Sequence, residues 1–480
     1  MRIAFIFAPF SHRVFEEDIK TVSRDFGVYP PLGLAYAAGI AEKHGHKVLF
    51  IDANAERLTK EQAYKRLKSF KPQMLGFMLT TYMFRLTHAW IRYFKRQMPH
   101  VKVVVGNVNL EFYPRETLMH KEIDFGIIGP ATENFPKLLE AIERNKLSRL
   151  STIPGLAYRS KNRIIVNPPR TLKEDWERLP RLPRHLLPNE RYYQFISQKR
   201  NFTIMVTSKG CPFNCSFCGL GNSPFSYRRI NDVIGEIKEC LYKYSVKEID
   251  FFEALFTFNK KRVIELCKAI ISNKLKFDWS CRSRVDTIDE EMLRRMKRAG
   301  CVRIYYGIES VSNEVLKNIN KQTSAEATKK AVYLTHKYGI KALGFFMVGN
   351  PGDSAETVKR TIRFATKELN LDFIEVARTV AKPCSALHRE LVKQTGQDYW
   401  RDYILYKVEE KRLPTPWTNL SEEEQEELVR LFYKRFYFRP SYIIRRLIDL
   451  NSFEELKRYT RSSIDVIFSR YRDYKIGDGN

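Results

Sequence analysis

The chain has 480 residues, more than one hydrophobic core usually spans, so two or three domains are expected. Its formal net charge of +28 favours anionic partners without choosing among phosphate polymers, membrane surfaces and acidic substrates. Apolar runs such as 74–78 and 343–348 stop well short of the ~18 residues of a membrane span, which excludes a transmembrane helix. Residues 1–7 read as a first strand and not as a signal peptide. Eight cysteines make no dense disulfide framework, and the clustering of three of them indicates a reducing, cytoplasmic setting.

Apolar strands at 3–7, 48–51, 74–78, 101–105 and 125–128 alternate with helical segments at 34–43, 60–69, 83–97, 114–120 and 133–144. Five βα units predict a doubly wound, flavodoxin-like parallel sheet in residues 1–149. Such sheets bind ligands outside the carboxyl ends of their strands, which here carry Asp52, Thr80 with Thr81, Gly106 with Asn107, and the turn 129–133. Residues 150–195 form a proline-rich linker with a small hairpin expected around 157–166. In 196–399 the alternation resumes, with strands at 202–207, 248–252, 277–282, 303–308, 342–348 and 373–376. Six units are too few to close an eight-stranded barrel.

The last region, 400–480, is helical and basic. Ser421 and Glu424 form a capping box, and Leu428, Leu431, Phe432 and Phe436 then recur at helical spacing until Pro440. Lys434, Arg435, Arg439, Arg445 and Arg446 crowd the same stretch. Two readings follow: a helix capping the barrel with its apolar stripe inward, or a basic amphipathic helix on a membrane surface. The tail beyond Tyr471 is expected to be mobile.

The stretch 207–218 reads Thr-Ser-Lys-Gly-Cys-Pro-Phe-Asn-Cys-Ser-Phe-Cys. Thiolates from Cys211, Cys215 and Cys218 are soft donors able to hold three irons of an iron–sulfur cube and leave the fourth open to a small molecule. Structural zinc would want a fourth Cys or His, and none lies close in sequence. Of the remaining cysteines, Cys240, Cys267, Cys281 and Cys301 are expected in the core, and Cys384 follows the sixth strand.

The spacing Cys-x3-Cys-x2-Cys, with Phe217 before the last cysteine, resembles the signature of the radical S-adenosylmethionine (radical SAM) superfamily. That resemblance implies a [4Fe-4S] cluster, S-adenosyl-L-methionine, and a partial (β/α)6 barrel with the cluster at its carboxyl end. It also implies contacts to S-adenosylmethionine from Phe217, Glu253, Arg284, Glu309 and Gly349. The first domain is similar to the cobalamin-binding module of one radical SAM class, on Pro30-Pro31-Leu32-Gly33-Leu34, Asp52, Thr80, Val105-Gly106-Asn107 and the turn ending at Glu133. The implied cobalamin contacts are Pro31, Asp52, Thr80, Thr81, Gly106, Asn107 and Glu133, with no Asp-x-His-x-x-Gly to offer the cobalt a histidine. A scaffold without cofactor is the alternative for this domain.

The stretch 432–439 resembles the tails of enzymes acting on tetrapyrroles or hopanoid-type lipids, the anaerobic Mg-protoporphyrin monomethyl ester cyclase and hopanoid methylase type. The implied activity is methylation of an unactivated carbon of a hydrophobic substrate, with cobalamin-assisted oxidation, cyclisation or carbon–carbon coupling as the alternative. A flavodoxin or ferredoxin would donate electrons. The rival from another class is an RNA-modifying radical SAM enzyme, against which stand the lack of a second cysteine cluster and of a basic C-terminal β-barrel module.

Overall fold

The computed structural model describes residues 1–9, 27–129, 131–169, 179–197, 199, 201–409 and 413–448. Pro130, the Arg446 side chain and the tail beyond Tyr471 lie outside the described residues.

The strands of the N-terminal part are β1 (Arg2–Phe7), β2 (Gly27–Val28), β3 (Lys47–Asp52), β4 (Met74–Met78), β5 (Lys102–Gly106), β6 (Phe125–Ile127), β7 (Leu156–Ser160) and β8 (Arg163–Val166). All but β2 form one sheet of order β3-β1-β4-β5-β6-β7-β8. Its first five members are parallel, in the flavodoxin-like order. Helices cover both faces, so β1 is apolar without alternation: Ala4 and Ile6 pack with Trp90 and Phe94 on one side, Ile3 and Phe5 with Leu34 and Leu138 on the other. The hairpin expected in the linker is present as β7 and β8, but it extends this sheet antiparallel to β6. Ala157 continues one apolar layer and Leu156 the other.

The next strands are β9 (Tyr193–Gln194), which pairs with β2, then β10 (Phe202–Met205), β11 (Ser208–Cys211), β12 (Ser223–Tyr227), β13 (Glu248–Phe251), β14 (Asp278–Ser283), β15 (Cys301–Glu309), β16 (Lys341–Val348) and β17 (Phe373–Arg378). Six of them form a curled, all-parallel sheet of order β10-β13-β14-β15-β16-β17, the expected partial barrel. Side chains alternate across each strand. Ile249, Phe251, Trp279, Cys281, Ile304 and Tyr306 pack outward against the helices, so Glu248, Asp250, Ser280, Arg282, Arg303 and Tyr305 face the lumen. Below that ring Ile196, Leu343 and Phe373 close the floor with Tyr305.

Between the barrel and the first sheet, Arg184 of the linker and Arg228 both reach Glu236 on the helix Ile230–Lys243, each at 2.7 Å and all but sealed from solvent.

The helix Glu422–Tyr437 caps the barrel. Leu428, Val429, Phe432 and Phe436 are buried against it, and Phe346 meets Phe432 with ring centroids 4.8 Å apart. Its tyrosines also satisfy the backbone of the edge strand β17: the hydroxyl of Tyr433 accepts from the Val376 amide at 2.9 Å, and that of Tyr437 donates to the Ile374 carbonyl at 2.8 Å. The apolar stripe of this helix is thus spent on the barrel. The short helix Tyr399–Ile404 goes elsewhere, sending Trp400, Tyr403 and Ile404 into the core of the first sheet. Among the described residues no helix is long and apolar enough to cross a membrane.

Candidate functional site

The cysteine loop leaves the barrel at the end of β10, where β11 and β12 form a hairpin that the sequence did not announce. Gly210 adopts φ +99°, and a Cβ there would strike the Pro224 carbonyl across the hairpin, so this position requires glycine. The loop is tied down by its backbone: the Ser216 amide donates to the Ile319 carbonyl at 2.9 Å, the Leu387 amide to the Ser216 carbonyl at 2.9 Å, and the Cys211 amide to the Ser223 hydroxyl at 2.9 Å. Cys211, Cys215 and Cys218 are all half-buried and free of disulfides. Burial raises the thiol pKa values of Cys211 and Cys215, the nearby cations Arg284 and Lys321 oppose this, and the charge of Cys218 acts on both. No three His, Cys, Asp or Glu side chains among the described residues converge as ligands of one ion. A cube needs no such convergence, because each thiolate binds its own iron. The loop therefore fits a cluster by donor chemistry, anchoring and access.

Around the thiols stand Phe217, Arg284 and Glu309, and with them Lys321, which no motif in the sequence announces. Arg284 has little left to offer a ligand. Its Nε and Nη2 donate to the Asp286 carboxylate at 2.9 and 2.8 Å, Nη2 also to the Lys321 carbonyl at 2.7 Å, Nη1 points at Cys215 Sγ at 3.9 Å, and its face covers the Phe213 ring at 3.7 Å. Glu309 closes β15 with φ +65°, a costly conformation for a residue with a side chain, and pairs with Lys321 Nζ at 2.7 Å. A Cβ on Gly307 would collide with that pair. Lys321 Nζ in turn lies 6.0 Å from the Phe217 ring centre.

Two of the expected contacts to S-adenosylmethionine point elsewhere. Both carboxylate oxygens of Glu253 accept hydrogen bonds, from the Thr207 amide and the Ser208 hydroxyl, and the residue is 4% exposed. Burial raises its pKa, and those bonds oppose the rise. Glu253 braces the root of the cysteine loop. Gly349 is covered on its Cα side by Gln425, and its carbonyl accepts from the Trp417 indole at 2.9 Å, so the C-terminal segment closes that flank.

The second candidate site is a cleft of about 270 Å³ at the carboxyl ends of β1, β4, β5 and β6. Gly33, Met78, Gly106, Asn107 and Gly129 line it, and Lys209 of the cysteine loop forms part of its wall. A side chain at Gly129 would project into open space, which suits a flat ligand laid on the backbone. Of the expected cobalamin contacts, Gly106 and Asn107 border this cleft; Pro31, Asp52, Thr80, Thr81 and Glu133 do not. Glu133 pairs with Lys137 at 2.6 Å. The hydroxyls of Thr80 and Thr81 are buried without a partner among the described residues.

Asp52 is sealed, its Oδ1 accepting from the Ala55 amide and its Oδ2 from the Tyr192 hydroxyl, each at 2.9 Å. Burial pushes its pKa up to about 6. A carboxyl raised in the folded state adds stability below its unfolded pKa and loses it as the pH rises through the folded value. Asp52→Asn should therefore unfold later than wild type at pH 7, by on the order of 2 to 3 kcal/mol, with the difference vanishing below pH 4. Urea titrations at several pH values check this; equal stability at pH 7 would remove the penalty assigned to Asp52.

Comparison with known proteins decides what this geometry belongs to. Residues 205–365 match the radical SAM superfamily and residues 21–139 a B12 binding domain. The chain is 31% identical to an uncharacterized methyltransferase of Pyrococcus horikoshii, over 98% of this chain and 99% of that one. The chain belongs to the radical SAM superfamily. As a radical SAM enzyme with a B12 binding domain it uses a [4Fe-4S] cluster, S-adenosylmethionine and cobalamin. It is also 27% identical to the anaerobic magnesium-protoporphyrin IX monomethyl ester cyclase of Rubrivivax gelatinosus, over 76% of this chain and 67% of the cyclase. Its fold matches that of the cobalamin-dependent S-adenosylmethionine radical enzyme OxsB, solved with aqua-cobalamin and S-adenosylmethionine, with a TM-score of 0.67 at 16% identity, over 97% of this chain and 72% of OxsB.

Proposed function

We propose that the protein transfers a methyl group to an unactivated carbon of a hydrophobic substrate held in the barrel lumen. One observation carries this reading: Lys209, two positions before Cys211, walls the cleft of the other sheet, so the two cofactor sites are neighbours. When bound, the cofactors supply reductive cleavage of the sulfonium to a 5′-deoxyadenosyl radical and a transferable methyl group. In this reading residues 1–149 hold cobalamin and 196–399 the radical chemistry.

The chain's own residues then divide the work. Cys211, Cys215 and Cys218 each hold one iron. Phe217 and Glu309 would border S-adenosylmethionine, while Glu253 and Arg284 keep the loop in place from behind and Trp417 with Gln425 closes the flank at Gly349. Gly33, Gly106, Asn107 and Gly129 let the corrin lie close to the backbone. Phe252 and Phe345, above the floor of Ile196, Leu343 and Phe373, supply the apolar part of an otherwise polar lumen and would limit the access of water to the radical. The basic surface suits an acidic electron carrier such as a flavodoxin or ferredoxin.

The methyltransferase name of the Pyrococcus relative supports methyl transfer, and the Rubrivivax relative supports a hydrophobic ring substrate. That relative is a cyclase, which is why oxidation without methyl transfer is the second reading. Reduced, reconstituted enzyme given hydroxocobalamin, methyl-deuterated S-adenosylmethionine and a host extract separates them by mass spectrometry. A product carrying the labelled methyl is expected. A product that only loses hydrogen or gains oxygen would replace methylation with oxidation.

A further inference from the structure

One cation on the inner face of the barrel is only partly used. Arg282 of β14 lies between two rings, its guanidinium 3.8 Å from the centre of Phe252 and 5.1 Å from that of Tyr305. Nη1 donates to Oδ2 of Asp250 on the adjacent strand β13 at 2.9 Å. The Nε–Nη2 edge donates to nothing among the described residues. The side chain keeps 20% of its surface open although Asp250 has none and Tyr305 1%.

Phe252, next on the inward side after Asp250, is 41% exposed inside the barrel. Phe345 stacks on Tyr305 with centres 5.9 Å apart at 13° and is itself half-buried. Two features thus sit side by side: a guanidinium edge that is open to solvent and has no protein acceptor among the described residues, and the exposed part of Phe252, whose ring meets Tyr29 at 5.8 Å on its other flank. A single ligand with an apolar body and an anionic end complements both. Asp250 fixes the guanidinium plane, and the Nε–Nη2 edge is the fork that matches a carboxylate with two parallel hydrogen bonds.

We infer that the lumen selects substrates made of an apolar body bearing a carboxylate, with Arg282 binding the carboxylate and Phe252 and Phe345 the body. This rests on the reading that the lumen is the substrate chamber and narrows the class of molecule it takes.

Equilibrium dialysis of reconstituted, cobalamin-loaded protein with 1-pyrenebutyrate, against neutral 1-pyrenebutanol at the same ionic strength, tests it. The acid should bind more tightly than the alcohol, and Arg282→Gln should weaken the acid about tenfold and leave the alcohol unchanged. Asp250→Asn with Arg282→Gln removes both charges together and serves if the single variant does not fold. Equal binding of acid and alcohol, no binding of the acid, or unchanged acid binding in the variant would overturn the inference. So would a loss of S-adenosylmethionine binding in Arg282→Gln, which would give Arg282 to the cofactor. Iron content and 5′-deoxyadenosine formation without substrate, measured on the same samples, report on the radical SAM reading separately, and Arg282→Gln should leave both intact.

Discussion

Cys215→Ala is expected to leave a folded protein that holds no stable cluster. Wild-type protein reconstituted under anaerobic conditions should carry about four irons per chain, and the variant close to none, since two thiolates cannot anchor a cube that has already given its fourth iron to a small molecule. Formation of 5′-deoxyadenosine should drop by at least about a hundredfold, because without that site the sulfonium is neither held nor reduced. The fold should survive, because the loop is secured by backbone hydrogen bonds at Ser216 and Cys211 and not by the thiol of Cys215. Circular dichroism and iron analysis on the same preparation decide the matter. Full iron retention in the variant would withdraw Cys215 from the ligand set, and an unfolded variant would show that its side chain has a packing role that the contacts do not reveal.

The largest effect on stability is expected at Glu236. This carboxylate neutralises Arg184 and Arg228, and all three side chains are 1% exposed. Burial alone would raise the Glu236 pKa, but the two guanidinium groups outweigh it and hold the carboxyl below its ordinary range. The stabilisation is therefore complete above the ordinary glutamate pKa and is lost as the pH falls through the depressed one. Glu236→Gln keeps the volume and strands two buried cations, a change that costs about 3–5 kcal/mol. Arg184 also donates to the Thr203 hydroxyl at 2.7 Å and to the Ile204 carbonyl at 3.1 Å, so the same change should loosen the linker from the barrel's first strand. Urea denaturation reads the first effect and limited proteolysis at 179–197 the second. A loss under about 1 kcal/mol would mean that desolvation of the triad consumes nearly all of its Coulombic gain.

The two cofactor sites differ in how they are built. The cysteine loop is a local object whose ligands lie within eight residues of one another. The N-terminal cleft is assembled from residues scattered over a hundred positions of chain and completed by Lys209 from the hairpin of the cysteine loop. Arg284 and Glu253 show a consequence of that difference. Both stand at strand ends where a ligand contact was expected, and both spend their polar groups on holding the loop that carries the thiols. A charged residue at a strand end can face the ligand or face the structure that holds the ligand, and sequence position does not distinguish the two.

What the sequence determined by itself was the local and the periodic. The spacing of Cys211, Cys215 and Cys218 is local chemistry, and the alternation of strands and amphipathic helices specified both parallel sheets: the first sheet's strands, buried on two faces, are apolar throughout, and the barrel's are apolar on the side that meets the helices. Tertiary structure decided the partners. That β7 and β8 join the first sheet, that Trp400 and Tyr403 return to its core while Phe432 and Tyr433 cap the barrel, and that Lys321 meets Glu309 all depend on contacts between distant segments. Such contacts leave no periodic trace, because a buried side chain needs only a complementary surface, and nothing in its neighbours along the chain records which surface that will be.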